Sequence, residues 1–279
     1  MAAGLQNRRD RRCLALSDRL RDKVAIVTGA SSAGPGWGNG KAAAVRFARE
    51  GAKVLCVDRG GGARETMKVI VAEGGDAEAF QADVTVAQQV RDMVQRCVAR
   101  FGRVDILHNN VGIDRVGGPV DTSEESWEQV VRTNLTSQFL TCKYTLPVMQ
   151  DQGAGAIINM SSIAAIRWVG APSIGYASSK AAVIQFTQTV ALEYASKGIR
   201  ANTIVLGVVR TPALENWVNT VSDDPAQLWR RLDDSSPRGR IGDAWDAANA
   251  AVFLASDEAN YVNGTTIVVD GGLSATMRI

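Results

Sequence analysis

Short aliphatic runs recur along the chain, and between them lie longer stretches whose apolar positions fall three and four apart. The runs are Val24–Thr28, Lys53–Val57, Ala77–Gln81, Ile106–His108, Ala156–Met160, Ala201–Val205 and Thr266–Val269. They are continuously apolar rather than alternating, the mark of strands covered on both faces. The longer stretches, roughly Gly40–Glu50, Ala63–Glu73, Val86–Arg100, Glu124–Met149, Tyr176–Ser196 and Ala244–Ala255, carry helical spacing. Strands alternating with helices of this size predict right-handed crossovers. The expected fold is therefore α/β: one doubly wound parallel sheet of about seven strands with helices on both faces.

Local residues sharpen some boundaries. Thr85 with Gln88, and Thr122 with Glu125, have capping-box spacing. Gly153 and Gly155 suit the end of a long helix, and Pro147 suggests a kink or stop just before it. Residues 207–242 hold Pro212, Pro225, Pro237, Trp217 and Trp229 and read as one long irregular stretch, the length of a lid or binding loop. Ahead of a single domain over 23–279, residues 1–22 carry Arg8, Arg9, Arg11, Arg12, Arg19 and Arg21 and read as a solvated, flexible extension.

Composition fits that picture. The chain has 279 residues, 46% of them hydrophobic, and a net charge of only +2, which offers no broad basic face for nucleic acid. No stretch reaches the ~20 apolar residues of a membrane span, and none suits a signal peptide, so the expected location is cytoplasmic. Cys13, Cys56, Cys97 and Cys142 lack metal-ligand spacing, and a single histidine, His108, cannot build a metal cluster. No metal is expected, and His108 reads as a packed residue of its apolar run.

The chemistry gathers at both ends of the first strand–helix unit. Thr28-Gly29-Ala30-Ser31-Ser32-Ala33-Gly34-Pro35-Gly36-Trp37-Gly38-Asn39-Gly40 joins strand to helix. Glycines there let backbone turn tightly and approach a pyrophosphate, with the helix N-terminus facing the anion. Asp58 closes the second strand, where a carboxylate accepts from the ribose hydroxyls of NAD and repels the extra phosphate of NADP. The adjacent Arg59 is the one residue that would suit that phosphate instead.

Further pieces follow in order: Asp83-Val84, Asn109-Asn110-Val111-Gly112, Asn134, Ser161-Ser162, Tyr176-x-x-x-Lys180, Arg210-Thr211-Pro212 and Val269-Asp270-Gly271-Gly272. Together they resemble the short-chain dehydrogenase/reductase family, from about Val24 to Leu273. The resemblance implies a Rossmann fold, a nicotinamide cofactor and a homotetramer paired through the two long helices. It also implies Asn134, Ser162, Tyr176 and Lys180 as catalytic residues. Gly29, Ser31, Gly38, Asn39, Gly40, Asp58, Asp83, Val84, Asn110, Gly112, Val209 and Thr211 would bind the cofactor with Tyr176 and Lys180, and Asn109 would line the same groove. Three departures stand out: Ala33–Trp37 lengthen the glycine turn, Val111 replaces an alanine, and Leu206-Gly207 replaces a Pro-Gly. Whether Trp37 covers an adenosine or packs on the protein is open.

The Tyr-Lys pair has its own logic. Four apart on a helix, Tyr176 and Lys180 share a face. A neighbouring ammonium favours the phenolate of a group whose free pKa is about 10, making it a usable base. The resemblance adds that Ser162, the second serine of its pair, would hold the substrate oxygen with Ser161 turned toward structure, and that Asn134 would keep a water near Lys180. Ile113, Ile163, Ala165, Trp168, Val169, Val208, Leu214 and Trp217 would line an apolar pocket for a cyclic or hydrophobic alcohol. Arg115, Arg167 and Arg210 read as solvated or paired. The expected activity is hydride transfer between NAD and a secondary alcohol or its ketone. An NADPH-dependent ketone reductase and a non-catalytic nucleotide sensor are the competing readings.

Overall fold

In a computed structural model, which describes residues 18–276, every apolar run becomes a strand. In chain order these are β1 (Val24–Thr28), β2 (Lys53–Asp58), β3 (Ala77–Gln81), β4 (Ile106–Asn109), β5 (Gly155–Ser162), β6 (Ile199–Leu206), β7 (Val209–Arg210), β8 (Gly242–Asp243) and β9 (Thr266–Val269). Seven of them form one parallel sheet in the order β3-β2-β1-β4-β5-β6-β9. This is the Rossmann arrangement, and strand order reverses between β1 and β4. There the carboxyl ends of the strands open a crevice, the place where such sheets hold ligands.

The helices are α1 (Asn39–Arg49), α2 (Gly62–Ala72), α3 (Ala87–Phe101), α4 (Glu124–Val131), α5 (Ser137–Gln152), α6 (Ile174–Tyr194), α7 (Pro212–Val221), α8 (Pro225–Ser235) and α9 (Ala244–Ala255). Alternate residues of β1 serve opposite layers. Ala25 and Val27 join Phe47, Ile204 and Leu254 under α1 and α9, while Val24 and Ile26 join Met93, Met149 and Val190 under α3, α5 and α6. Each such aliphatic side chain contributes roughly 1.5–3 kcal/mol on burial.

Several local expectations are corrected. Neither proposed capping box forms. α3 starts after Val86, and the Asp83 carboxylate takes both the Thr85 N–H and hydroxyl. α4 is capped by Ser123, whose hydroxyl accepts from Ser126 N at 3.1 Å, rather than by Thr122. Pro147 does not stop its helix: α5 runs on to Gln152 and ends at Gly153 in the left-handed conformation. The predicted single helix Glu124–Met149 is α4 and α5 joined by a π-helical turn, Arg132–Thr136.

The stretch 207–242 is not irregular. It holds α7 and α8, each with proline in its first turn, capped by Thr211 and Asp224. β7 pairs with β8 beneath them. The ordered domain also starts ahead of residue 23. Leu20 is fully buried, its N–H donates to Glu50 O (2.8 Å), and Arg19 pairs with Glu258 (2.7 Å). Arg8, Arg9, Arg11, Arg12 and Cys13 lie outside the described residues. Among those described, no helix is long and apolar enough to cross a membrane.

Candidate active site

The crevice beyond β1 and β4 is a cavity of about 520 Å³ walled by Gly29, Asp58, Asp83, Val84, Asn110 and Gly112 among others. The turn that carries Gly29 to its edge needs glycines for steric reasons. Gly29 has φ +65°, and a Cβ there would lie 3.1 Å from Asn110 Nδ2. At Gly40 a Cβ would overlap the Gly29 carbonyl, and at Gly38 it would come 2.7 Å from the Ser31 carbonyl. Gly38 and Gly40 therefore hold the positions where helix and turn must touch. Asn39 opens α1 between them.

Asp58 stands at the end of β2 with both oxygens oriented: Oδ1 accepts from Gly60 N and Oδ2 from Ser31 Oγ, each at 2.7 Å. Ser31 thus reaches the groove by way of Asp58. Asp83 lines the cavity but spends Oδ1 on Thr85. Asn110 donates from Nδ2 to Gly29 O at 3.3 Å, tying the two loops together. A glycine cradle, a helix N-terminus and a carboxylate one strand away fit a dinucleotide.

Asn109 does not line this groove. It points into the core, donating to Asn159 Oδ1 and accepting from Thr141, both at 2.8 Å. Trp37 is settled too: its ring packs on Trp245 of α9 with centroids 4.6 Å apart, with Lys41 over the other side at 5.1 Å. The inserted residues contact α7. Gly34 and Gly36 lie against Pro212, and Ala33 O accepts from Asn216 at 3.4 Å. His108 is buried edge-on to Phe47, and burial pushes it down to about 4, so it stays neutral. Cys56, Cys97 and Cys142 are buried thiols pushed up to about 12.

Ser162, Tyr176 and Lys180 converge beside Gly112. The Ser162 side chain lies close enough to the Tyr176 phenol to act on it, and its Oγ accepts from Ala164 N at 3.2 Å. Lys180 Nζ donates to Met160 O at 2.9 Å and lies 5.7 Å from the centre of the Tyr176 ring. Ser161 points away, its Oγ donating to Lys180 O at 2.7 Å. Adjacent strand residues face opposite sides, so only one of the two serines meets the tyrosine. Gly112 lets the β4 loop close down: a Cβ there would be 3.1 Å from Lys180 Nζ and 3.4 Å from Asn134 Oδ1.

Asn134, in the π-helical turn, is fully buried. Its Oδ1 accepts from Ile113 N (2.8 Å), and Nδ2 donates to Ile113 O (2.9 Å) and Ser179 Oγ (3.0 Å). The side chain is committed to holding the Ile113 loop. The electrostatics depart from expectation. The protein around the Tyr176 hydroxyl raises its pKa above 10, Ser162 lowers it, and the nearby Asp114 raises it again. Burial brings Lys180 down to about 8, so it still carries its proton at neutral pH.

At the start of α7, Val209 and Thr211 are buried, and Thr211 Oγ1 accepts from Leu214 N. Arg210 stacks on Trp229 at 4.0 Å and pairs with Asp233. Gly207 is needed because a Cβ would meet Asp270 at 2.6 Å, and Asp270 in turn accepts from Gly272 N and Ser274 N. A second cavity of about 520 Å³ has apolar walls that include Ala164, Ile166, Trp168, Val169 and Pro172. Of the expected pocket residues, Trp168 and Val169 line it, whereas Ile113 lines the first cavity and Ile163 is buried. Arg167 donates to Ser274 O and Arg115 to Asp114 O. Asp114, Ser173 and Ser179 carry no motif and are visible only once the loops are folded together.

A family model described as enoyl-(acyl carrier protein) reductase matches residues 34–274. The chain is 38% identical over 263 residues to the 2,5-dichloro-2,5-cyclohexadiene-1,4-diol dehydrogenase of Sphingobium indicum, covering 93% of this chain and 99% of the relative. It is 40% identical over 263 residues to 3beta-hydroxysteroid dehydrogenase 1 of Eggerthella lenta, covering 92% and 95%. The structure of levodione reductase superposes with a TM-score of 0.86 at 34% identity, over 92% of this chain and all of that one. A Burkholderia xenovorans structure superposes at 0.91 with 49% identity, covering 93% and 99%.

Proposed function

The chain belongs to the short-chain dehydrogenase/reductase family and is a nicotinamide-dependent oxidoreductase of CH–OH groups, and from that premise we propose that it is an NAD-dependent dehydrogenase of cyclic, largely apolar secondary alcohols. The observation that carries this reading is the meeting of Ser162, Tyr176 and Lys180 beside Gly112, at the inner end of the cofactor groove.

Nicotinamide, when bound, supplies the hydride acceptor or donor. The chain's own residues handle position and protons. Ser162 donates to the substrate oxygen and steadies the charge that develops there. Tyr176 takes the alcohol proton in oxidation and returns it in reduction. The Lys180 ammonium, 5.7 Å from the centre of the Tyr176 ring, favours the phenolate on electrostatic grounds, against the burial that raises the Tyr176 pKa. With the Asn134 side chain held by Ile113 and Ser179, a water near Lys180 would meet its main-chain carbonyl. Gly29, Ser31, Gly38, Asn39, Gly40, Asp58, Asp83, Val84, Asn110, Gly112, Val209 and Thr211 hold the cofactor, with Ser31 acting through Asp58.

Two observations support NAD over NADP and a cyclic substrate. Asp58 presents an oriented carboxylate where a 2′-phosphate would lie. The cavity beside the helix of Tyr176 is walled by Ile166, Trp168 and Val169, and relatives are named for a cyclohexadienediol and for 3β-hydroxysteroids. A homotetramer joined through α5 and α6 is part of the same proposal. The test is reduced-nicotinamide absorbance over a panel of cyclic alcohols and ketones with NAD and NADP, in the wild type and in Asp58→Ser. Turnover preferring NAD, with that preference falling at least about tenfold in the variant, is the expected result. A wild-type preference for NADP contradicts the assignment of Asp58.

A further inference from the structure

Asp114 has no part in the mechanism above, yet it lies close enough to Tyr176 to act on it electrostatically. Its place is set from both sides. On one, the backbone of Ile113 is clamped at N and O by Asn134 (2.8 and 2.9 Å). On the other, Gly117 N donates to Pro172 O (2.8 Å) and accepts from Ile174 N at its carbonyl (3.1 Å). The Asp114 carboxylate takes a long 3.4 Å hydrogen bond from Ser173, the residue that precedes α6 and hence stands three positions before Tyr176.

The surroundings make this carboxylate unusual. Its neighbours Ile113 and Arg115 line the cofactor cavity, whereas Gly117 and Ser173 line the apolar cavity, so Asp114 stands between the two. Arg115 turns its guanidinium to the Asp114 carbonyl rather than to the carboxylate. Burial raises the Asp114 pKa, and Ser173, the Arg115 N–H and the nearby Arg115 charge only partly offset that. An ionised carboxylate has about four acceptor positions, and the side chain is solvent-exposed, so acceptor capacity is left for an incoming molecule.

Resting on the dehydrogenase reading above, we propose that Asp114 is a specificity residue that accepts a hydrogen bond from a second hydroxyl of the substrate. The preferred class is then cyclic diols in oxidation and cyclic hydroxyketones in reduction. The apolar wall takes the ring carbons, Ser162 and Tyr176 take the reacting oxygen, and Asp114 takes the other. The second hydroxyl keeps its proton throughout.

The experiment measures kcat/KM with NAD for cyclohexanol and for cyclohexanediols whose hydroxyls are adjacent, one carbon apart or opposite. It is run in the wild type, Asp114→Ala and Asp114→Asn at one pH. Both substrate types use Tyr176, so a general effect on that phenol cancels in the diol-to-alcohol ratio. In the wild type the ratio for at least one diol exceeds about tenfold, as a hydrogen bond to a charged group provides. It collapses toward unity in Asp114→Ala and is partly restored in Asp114→Asn, which keeps an acceptor oxygen. A ratio unchanged in Asp114→Ala, with both substrates turned over, overturns the proposal and leaves the dehydrogenase reading intact. If the wild type turns over neither substrate, while NAD still binds in a thermal-shift assay, the reading beneath the proposal fails and the proposal with it.

Discussion

Lys180 shows what the site demands of one side chain. It is 4% exposed, and burial brings its ammonium to about 8 from an ordinary 10.5. Below pH 8 folded and unfolded chains both hold the proton, and the cost of burying the charge is fully present. Between about 8 and 10.5 only the unfolded chain keeps it, so the stability Lys180 contributes rises with pH. The melting temperature of the wild type should therefore climb relative to Lys180→Met between pH 8 and pH 10, as scanning calorimetry can check; parallel curves would contradict the assigned shift. Tyr176 and Lys180 stood out in the sequence because a spacing that puts them on one helix face comes in order among the other family motifs; the spacing alone is common. The separation of Ser161 from Ser162 is a matter of strand facing and needed the end of β5 to be located. Asn109 was misread for a related reason: it shares an apolar-polar motif with Asn110 but belongs to the strand, and its side chain turns inward.

Among elements, α9 is tied to the turn ahead of α1 by two tryptophans whose rings meet at a tilt. The centroids of Trp37 and Trp245 lie 4.6 Å apart, with Lys41 over the Trp37 ring and Arg49 over the Trp245 ring. Each Trp→Ala change should cost about 3 kcal/mol, and the double variant should cost less than the sum by about 0.5–1.5 kcal/mol. Urea unfolding of the four proteins measures this; strict additivity would mean the rings do not support one another. Strands and most helices were legible because an apolar run or a 3.6-residue stripe survives any context. Helices α7 and α8 were not, although Pro212 and Pro225 sit where prolines start helices. Three prolines within residues 207–242 read as breakers until caps at Thr211 and Asp224 are seen. Pro147 shows the opposite error: tertiary burial of Leu146 and Met149 carries α5 through a residue that locally disfavours it. The insertion 33–37 was visible as extra length, but its packing on Pro212 and Asn216 was not, because those partners lie far along the chain.

For the whole molecule, the sheet order brings the glycine turn, Asp58 and the Tyr176–Lys180 helix to one end of one crevice. That topology was legible, since alternating strands and helices permit few arrangements. Assembly is a separate matter. Leu192 of α6 is 77% exposed and Phe139 of α5 is 46% exposed, large apolar side chains on the two helices proposed to pair between subunits. Leu192→Glu should reduce the mass measured by light scattering from that of a tetramer, and an unchanged mass would place the interface elsewhere. The central claim is that a cofactor groove and a proton-transferring tyrosine work as one site, and Tyr176→Phe tests it most directly. Turnover of cyclic alcohols and NAD affinity by titration calorimetry would be measured on the same preparation. The account predicts a loss of kcat of at least about a hundredfold with NAD affinity nearly unchanged. Retained turnover in this variant would contradict it.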